Sequence, residues 1–330
     1  MRQWRGVPVL VTGAEGFIGS VVARQLAAQG AEVHAGVFDD VSRWRLQGIE
    51  HQLTLHRLDV RDASQVQRAV GRIAPRRVIH LAAAVDTRRD HALIEPMLRA
   101  NVEGTRHLLD ALVGQRPEAV VLAGTAEEYG ARRTLCRTTD PEQPVSPYSW
   151  SKTAAAALGR LYHQVWGVPV TVVRFAVTYG PGQVNDLFVP SLIRSCLTRQ
   201  PLRMTAGRHA REFNYVDDIA GGLIAAAQAP SAAGQIVHLG PGKAHRLLEV
   251  VRLVMELTGA ATPPLIGALP YRVGEPRTQR LDVGKSSALL GWRSCVALRE
   301  GLRRTVEWFQ DYLAGEADAR MAEAAEVRQG

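Results

Sequence analysis

Tyr148 and Lys152 stand four residues apart in Pro147-Tyr148-Ser149-Trp150-Ser151-Lys152, where a helix-forming stretch begins. That spacing is about one helical turn, so the phenol and the ammonium fall on one face and can meet. A free phenol ionises near ~10, so working near neutrality requires a drop of about 3 units, roughly 4 kcal/mol. One ammonium at ~6 Å in an effective dielectric of ~20 supplies about 2.8 kcal/mol of it. The remainder calls for a second positive charge and a hydroxyl donor, and Thr125, at the end of a strand-like run, is placed to be that donor. The same spacing occurs on ordinary solvated helix faces. Here, however, lysine is scarce: only Lys152, Lys243 and Lys285 occur in a chain that otherwise uses arginine.

A phosphate cradle lies upstream. Gly13, Gly16 and Gly19 recur at every third position, with Phe17 and Ile18 between the last two, after a strand-like run and before a helical one. Glycine permits a tight turn and close backbone approach, and the free amides and dipole of a helix start favour a dinucleotide's pyrophosphate. An oxidised nicotinamide would supply the missing positive charge beside Tyr148. The acid that grips the adenosine ribose should end the second strand, ~20 residues past the glycines. That place falls near Val37, with Asp39 and Asp40 just beyond and Arg43 and Arg45 further on. An apolar residue there predicts NADP(H), with Arg43 or Arg45 at the 2′-phosphate; NAD, with Asp39 as ribose partner, is the alternative. Asp59-Val60, at a third strand end, is the candidate for the adenine.

These groups need a scaffold that brings strand ends together. Strand-like runs at 7–12, 32–37, 53–58, 77–82, 119–124 and 168–174 alternate with 3.6-period segments at 17–29, 63–73, 98–113 and 149–165, the pattern of repeated strand-helix-strand units. The expected class is α/β: a Rossmann-type doubly wound parallel sheet with a smaller C-terminal substrate-binding lobe. The expected division is 1–180 for the dinucleotide-binding domain, 181–315 mainly for the lobe, and 316–330 for a flexible tail. A last amphipathic helix is expected over 298–313.

Composition narrows the function classes. The 330 residues are 46% hydrophobic, enough for a large core, and no apolar run approaches the ~20 residues of a membrane span. With Met1 leading directly into a strand, a cytoplasmic, membrane-free protein is expected. The net charge of +8 is scattered and carries no nucleic-acid motif, so no nucleic-acid partner is expected. Cys136, Cys196 and Cys295 lie too far apart for a zinc site or a disulfide framework, and no metal is expected.

Together these features resemble the extended short-chain dehydrogenase/reductases, the nucleotide-sugar epimerases, 4,6-dehydratases and 4-ketoreductases, over nearly the whole chain. His80-Leu81-Ala82-Ala83 is similar to the family's fourth-strand ending, which places Leu81, Ala82 and Ala83 at the cofactor. Asn101-Val102-Glu103-Gly104-Thr105 is similar to its mid-sheet helix motif. Arg174 to Gln183, Arg211-Glu212-Phe213 with Val216-Asp217-Asp218, and Tyr271 to Glu275 resemble three segments of the substrate lobe. The resemblance implies a nucleotide-sugar substrate whose diphosphate is held by Arg211 and Arg272. It also implies a homodimer formed through the helix carrying Tyr148 and Lys152. Val177 departs from the asparagine often found near the diphosphate.

All branches share Tyr148 and Lys152, so the reaction must be read from Thr125-Ala126-Glu127-Glu128-Tyr129-Gly130. Ala126 removes one acid common in dehydratases, while Glu127 remains. A lone glutamate there resembles both the GDP-mannose dehydratases and the GDP-4-dehydro-6-deoxy-mannose reductases, and the second, closer match implies NAD(P)H-dependent 4-keto reduction in deoxysugar biosynthesis. A 4-epimerase or 4,6-dehydratase is the alternative, and a dinucleotide-sensing module without catalysis is disfavoured by the Tyr148/Lys152 pair. In every catalytic reading Thr125, Tyr148 and Lys152 carry the chemistry, Glu127 is a fourth catalytic candidate with loop support as its alternative role, and Thr125, Ala126, Glu127, Val177, Arg211 and Arg272 meet the sugar nucleotide.

Overall fold

The computed structural model describes residues 4–38, 41–131, 135–184, 186–272 and 274–327. Its centre is a seven-stranded, all-parallel sheet. Chain order runs β1 (Pro8–Thr12), β2 (Glu32–Val37), β3 (Leu53–Arg57), β4 (Arg77–His80), β5 (Ala119–Ala123) and β6 (Val170–Phe175). The Val/Ile/Leu-rich runs suit strands buried on both faces. The spatial order places β3-β2-β1 on one side and β4-β5-β6 on the other, with a last strand, Ile236–Leu239, beyond β6. The order therefore reverses between β1 and β4, where Val9 pairs Arg77 and Thr12 pairs His80. Doubly wound sheets bind ligands at that switch point.

Helices α1 (Phe17–Ala28), α2 (Ala63–Ile73), α3 (Gly104–Leu112) and α4 (Pro147–Trp166) cover the sheet. One apolar cluster, with Val9, Val11, Val33 and Leu26, lies on one face. A second, with Leu10, Val78, Leu108 and Val120, lies on the other. The stretch read as one helix over 98–113 is more broken: Ile94–Met97 is α-helical, Leu98–Glu103 is a wide π-type turn, and α3 follows. Such turns tend to mark functional positions. Here the wide turn carries Asn101, whose side chain exchanges hydrogen bonds with the Ala84 backbone, 2.7 and 3.0 Å, and reaches Ser151 Oγ at 2.9 Å.

Past β6 the chain builds a small three-stranded sheet from Val177–Tyr179, Ala210–Tyr215 and Ala244–Arg246. Its own core contains Tyr179, Leu192, Phe213, Val250, Val254 and Phe309. Between these strands the chain returns to the main sheet. Helix Val216–Gln228 buries Ile219, Ala220 and Leu223 in the same cluster as α1, and Ile236–Leu239 adds the last strand. The final helix, Leu298–Val327, runs past the expected end at Leu313. Residues 328–330 lie outside the described residues. Among the described residues no helix is long and apolar enough to cross a membrane.

Candidate active site

A cleft of about 540 Å³ opens at the carboxyl edge of the sheet and runs from the glycine turn to the small lobe. Gly13 adopts a left-handed φ of +67°, and a Cβ there would lie 2.8 Å from Ala82 N. A Cβ on Gly19 would meet Gly13 O at 2.0 Å. Both positions accept glycine alone, and α1 starts at Phe17 with no acidic residue in its first turn and no side chain capping it. Its amides and dipole thus face the cleft, as a pyrophosphate requires. Thr12 Oγ1 stands 2.7 Å from His80 Nδ1 and accepts the Leu81 and Ala82 amides at 3.2 Å, locking β1 to β4 beneath the cradle. Burial, then the Lys152 charge, lowers the His80 imidazole to about 3, so it is neutral here.

Of the residues read as cofactor contacts, Gly13, Gly16, Phe17, Ile18, Gly19, Leu81 and Ala83 line the cleft. Ala82 packs against Gly13. Val60 is buried, and Asp59 is held in a two-point pair by Arg61 Nε and Nη2, 2.9 and 2.8 Å, away from the lining. Asp39 lies outside the described residues. Arg45, rather than Arg43, reaches the cleft.

Further along, Thr125 caps the short helical turn Ala126–Tyr129. Its Oγ1 accepts the Glu127 amide at 3.2 Å, and its own amide donates to Glu128 Oε1 at 2.8 Å. Tyr148 enters at the second residue of α4, whose start is pinned by Pro147 and by reciprocal Ser146 and Ser149 caps. Lys152 Nζ, one turn on, donates to Ala123 O at 2.9 Å. Burial lowers the Lys152 ammonium to about 8.

The pair does not behave as the spacing predicts. The Tyr148 phenol is held above its ordinary value, by burial first and then by the Glu127 and Glu128 carboxylates. In the free chain Tyr148 is therefore a protonated acid. The physical reason is burial of the phenol first and the negative charges of Glu127 and Glu128 next, while Lys152 spends a donor on the Ala123 carbonyl.

Glu127, Ala126, Val177, Arg211 and Arg272 complete the cleft, so the candidate substrate residues converge in one place. Burial raises the Glu127 carboxyl, opposed by Arg89, Arg272 and Arg211. Arg211 Nη2 meets Glu275 Oε1 at 2.9 Å, and Arg272 Nη1 meets Thr87 Oγ1 at 3.0 Å. Two lining residues had no sequence signal of their own: Arg89, and Gln279, whose Nε2 donates to Ala126 O at 2.9 Å. Among the described residues no group of His, Cys, Asp and Glu is arranged to hold a metal ion.

The model of the "NAD dependent epimerase/dehydratase family" matches residues 9–240. The chain belongs to that family. It is an NAD(P)-dependent enzyme of the extended short-chain dehydrogenase/reductase type. It is 32% identical to a dTDP-glucose 4,6-dehydratase of Streptomyces griseus over 323 residues, covering 92% of this chain and 94% of that one. A UDP-glucuronate 4-epimerase of Thermodesulfobacterium geofontis is 28% identical over 314 residues, with 92% and 96% covered. Among solved structures, UDP-glucuronic acid 4-epimerase from Bacillus cereus, in complex with UDP-glucuronic acid and NAD, superposes with a TM-score of 0.86. It shares 25% identity, over 92% of this chain and 99% of that one.

Proposed function

We propose that this enzyme is a nucleoside-diphosphate-hexose 4,6-dehydratase in which one carboxyl, Glu127, handles both proton steps at carbons 5 and 6. The observation that carries the reading is Glu127 itself: a half-buried carboxyl whose pKa is raised by desolvation, standing in the cleft that also holds Tyr148 and four arginines. A carboxyl that burial makes a better proton acceptor than a free one, standing beside the reacting sugar, suits proton abstraction next to a ketone. The glycine turn fits a dinucleotide's pyrophosphate. When bound, the dinucleotide supplies a hydride acceptor for carbon 4, a positive ring that lowers the Tyr148 phenol, and the same hydride for return.

Within that frame Tyr148 takes the proton of the carbon 4 hydroxyl, and Thr125 orients the oxygen. The resulting ketone acidifies the hydrogen on carbon 5, which Glu127 removes. Glu127 then returns that proton to the carbon 6 hydroxyl, which leaves as water with formation of a carbon 5–carbon 6 double bond. With hydride for carbon 6 available from a bound dinucleotide, carbon 5 would take a proton equivalent to the one Tyr148 took. The product is a 4-keto-6-deoxy sugar, with no net change in cofactor. Arg211 and Arg272 hold the diphosphate.

Net 4-keto reduction, the preferred reading of the 124–130 segment, is less well supported, because the relatives are epimerases and dehydratases. A 4-epimerase is the second reading, favoured by Ala126, which offers no second acid to the carbon 6 hydroxyl. Mass spectrometry of UDP-, dTDP- and GDP-hexoses incubated with the enzyme and NAD separates the cases. Dehydration removes one water and is lost in Glu127→Gln. Epimerisation leaves the mass unchanged and tolerates that substitution. Stoichiometric consumption of reduced nicotinamide on a 4-keto sugar would overturn both.

We read the enzyme further as a homodimer joined through α4, which leaves Trp150, Leu161, Val165 and Trp166 exposed. Light scattering at micromolar concentration checks it; a monomer mass rules it out.

A further inference from the structure

The two ribose hydroxyls of a dinucleotide's adenosine need a hydrogen-bond acceptor, which in a doubly wound sheet stands at the end of the second strand. Here β2 ends on Val37, apolar and 5% exposed. A carboxylate reaches that place from a different element. Glu15 belongs to the glycine turn, between Gly13 and Gly16, and its Oε1 accepts the Phe38 amide at 2.6 Å, one residue past Val37. The turn's backbone leans on the same strand, with Ala14 N donating to Gly36 O at 3.1 Å. Glu15 is 7% exposed, so its charge sits at the strand end with little water to screen it.

We propose that Glu15 is the ribose-reading carboxylate of this enzyme and selects a dinucleotide with a free 2′-hydroxyl, NAD, over one carrying a 2′-phosphate. The inference rests on the reading of the glycine turn as a dinucleotide site. A carboxylate has two oxygens with room for about four donors, so it can hold a backbone amide and a ribose hydroxyl together. A 2′-phosphate beside it meets like charge and has no proton to donate.

Arg45, which lines the cleft beside the glycine turn, does not offset this. Arg45 directs Nε to Gly182 O at 2.8 Å and Nη1 to Glu15 O at 3.4 Å, with its guanidinium 4.4 Å from the centre of the Trp44 ring. Trp44 in turn stacks on Trp308 of the last helix. Arg45 therefore fastens the glycine turn to the Gly182 turn. It does not present the open fork that a phosphate dianion needs.

Calorimetric binding of NAD⁺ and of NADP⁺ to the whole chain, without sugar nucleotide, tests the assignment on wild type, Glu15→Gln and Arg43→Ala. The wild type is expected to bind NAD⁺ at least about tenfold tighter than NADP⁺, a difference of about 1.4 kcal/mol. Glu15→Gln should shrink that ratio severalfold with unchanged far-UV circular dichroism, and Arg43→Ala should leave it where it was. Equal or tighter NADP⁺ binding by the wild type overturns the proposal, whether or not the variant folds. So does an unchanged ratio in a folded Glu15→Gln. Binding of neither dinucleotide would instead overturn the cradle reading and the proposed function with it, whereas a reversed preference leaves that function standing.

Discussion

Glu128 and Arg174 form an ion pair with no solvent exposure on either side chain, Oε2 lying 2.8 Å from Nε and 2.7 Å from Nη2. The remaining nitrogen is also used, Nη1 donating to Tyr129 Oη at 2.7 Å, and Nη2 donates to Glu142 as well, at 2.7 Å. Because Glu128 Oε1 receives the Thr125 amide, the pair also fixes the turn on which Thr125 and Glu127 stand. A glycine must precede that turn, since a Cβ on Gly124 would come within 2.6 Å of Glu128 Oε1.

Breaking a buried pair by removing one charge leaves the other uncompensated, at a cost of about 3–5 kcal/mol. Glu128→Gln is therefore expected to lower unfolding free energy by roughly that range, with Glu142 retaining part of the Arg174 charge. It should also cut kcat more than it raises KM, because Thr125 loses its anchor. Glu142→Gln, at a carboxylate with 28% exposure, should cost less. Urea denaturation and steady-state kinetics check both, and a neutral Glu128→Gln would show that the pair is dispensable.

Lys152 predicts the opposite trade. Its amine titrates at about 8 in the fold against 10.5 unfolded, because burial moves the folded-state value against the charged form. Below pH ~8 both states are protonated and the full cost, about 3 kcal/mol, is present. Between 8 and 10.5 the unfolded chain binds the extra proton, so this group's contribution to stability rises with pH. Lys152→Met should thus be more stable than wild type at pH 7, by roughly 1–3 kcal/mol, with the gap closing towards pH ~10 while turnover is lost. Denaturation at the two pH values decides it; a gap that widens with pH would be the wrong sign.

Arg211 and Arg272 should separate substrate binding from cofactor binding. A guanidinium on a diphosphate is worth roughly 1.5–3 kcal/mol, so replacing either by alanine should raise KM at least about tenfold and leave NAD⁺ affinity nearly intact. Arg211 is mostly buried and paired with Glu275, so its variant should also lose some stability, whereas Arg272 is exposed and should not. Unchanged KM in both would make them structural.

Much of this site was legible in the sequence because its parts obey local rules. Glycines at three-residue spacing mark a turn that admits no Cβ, and a helix turn brings Tyr148 to the cleft with Lys152. What escaped depends on contacts between distant segments. Nothing local marks Gln279 as the partner of Ala126, or the 216–239 stretch as the return to the sheet. Asn101 sat in a quoted motif, but its role in tying Ala84 to Ser151 follows from the wide turn alone. The NADP expectation read the end of β2 correctly as apolar. That reading weighed only the strand itself, and the structure adds Glu15 of the glycine turn, whose carboxylate accepts the Phe38 amide just past the strand end. The phenol's acidity was likewise judged from Lys152, a nicotinamide charge and the Thr125 hydroxyl, without the burial of the phenol or the charges of Glu127 and Glu128 on the turn after Thr125.

That last point shapes what Tyr148→Phe should do. A phenol held above its ordinary value is protonated across the working range until ligands enter, so Tyr148 starts as a proton reservoir and becomes a base only in the loaded site. Removing its hydroxyl costs little volume and should cut turnover by about 100- to 10,000-fold, the range of general acid–base catalysis, while NAD⁺ binding by calorimetry stays nearly unchanged. The alkaline limb of the wild-type pH–rate profile should follow loss of the Lys152 charge, beginning near pH 8. Residual turnover in Tyr148→Phe should lose that limb, since without the phenol the ammonium has no ionisation left to support. A variant that keeps near-wild-type turnover, or keeps the same alkaline limb at reduced rate, would show that another group carries the carbon 4 proton.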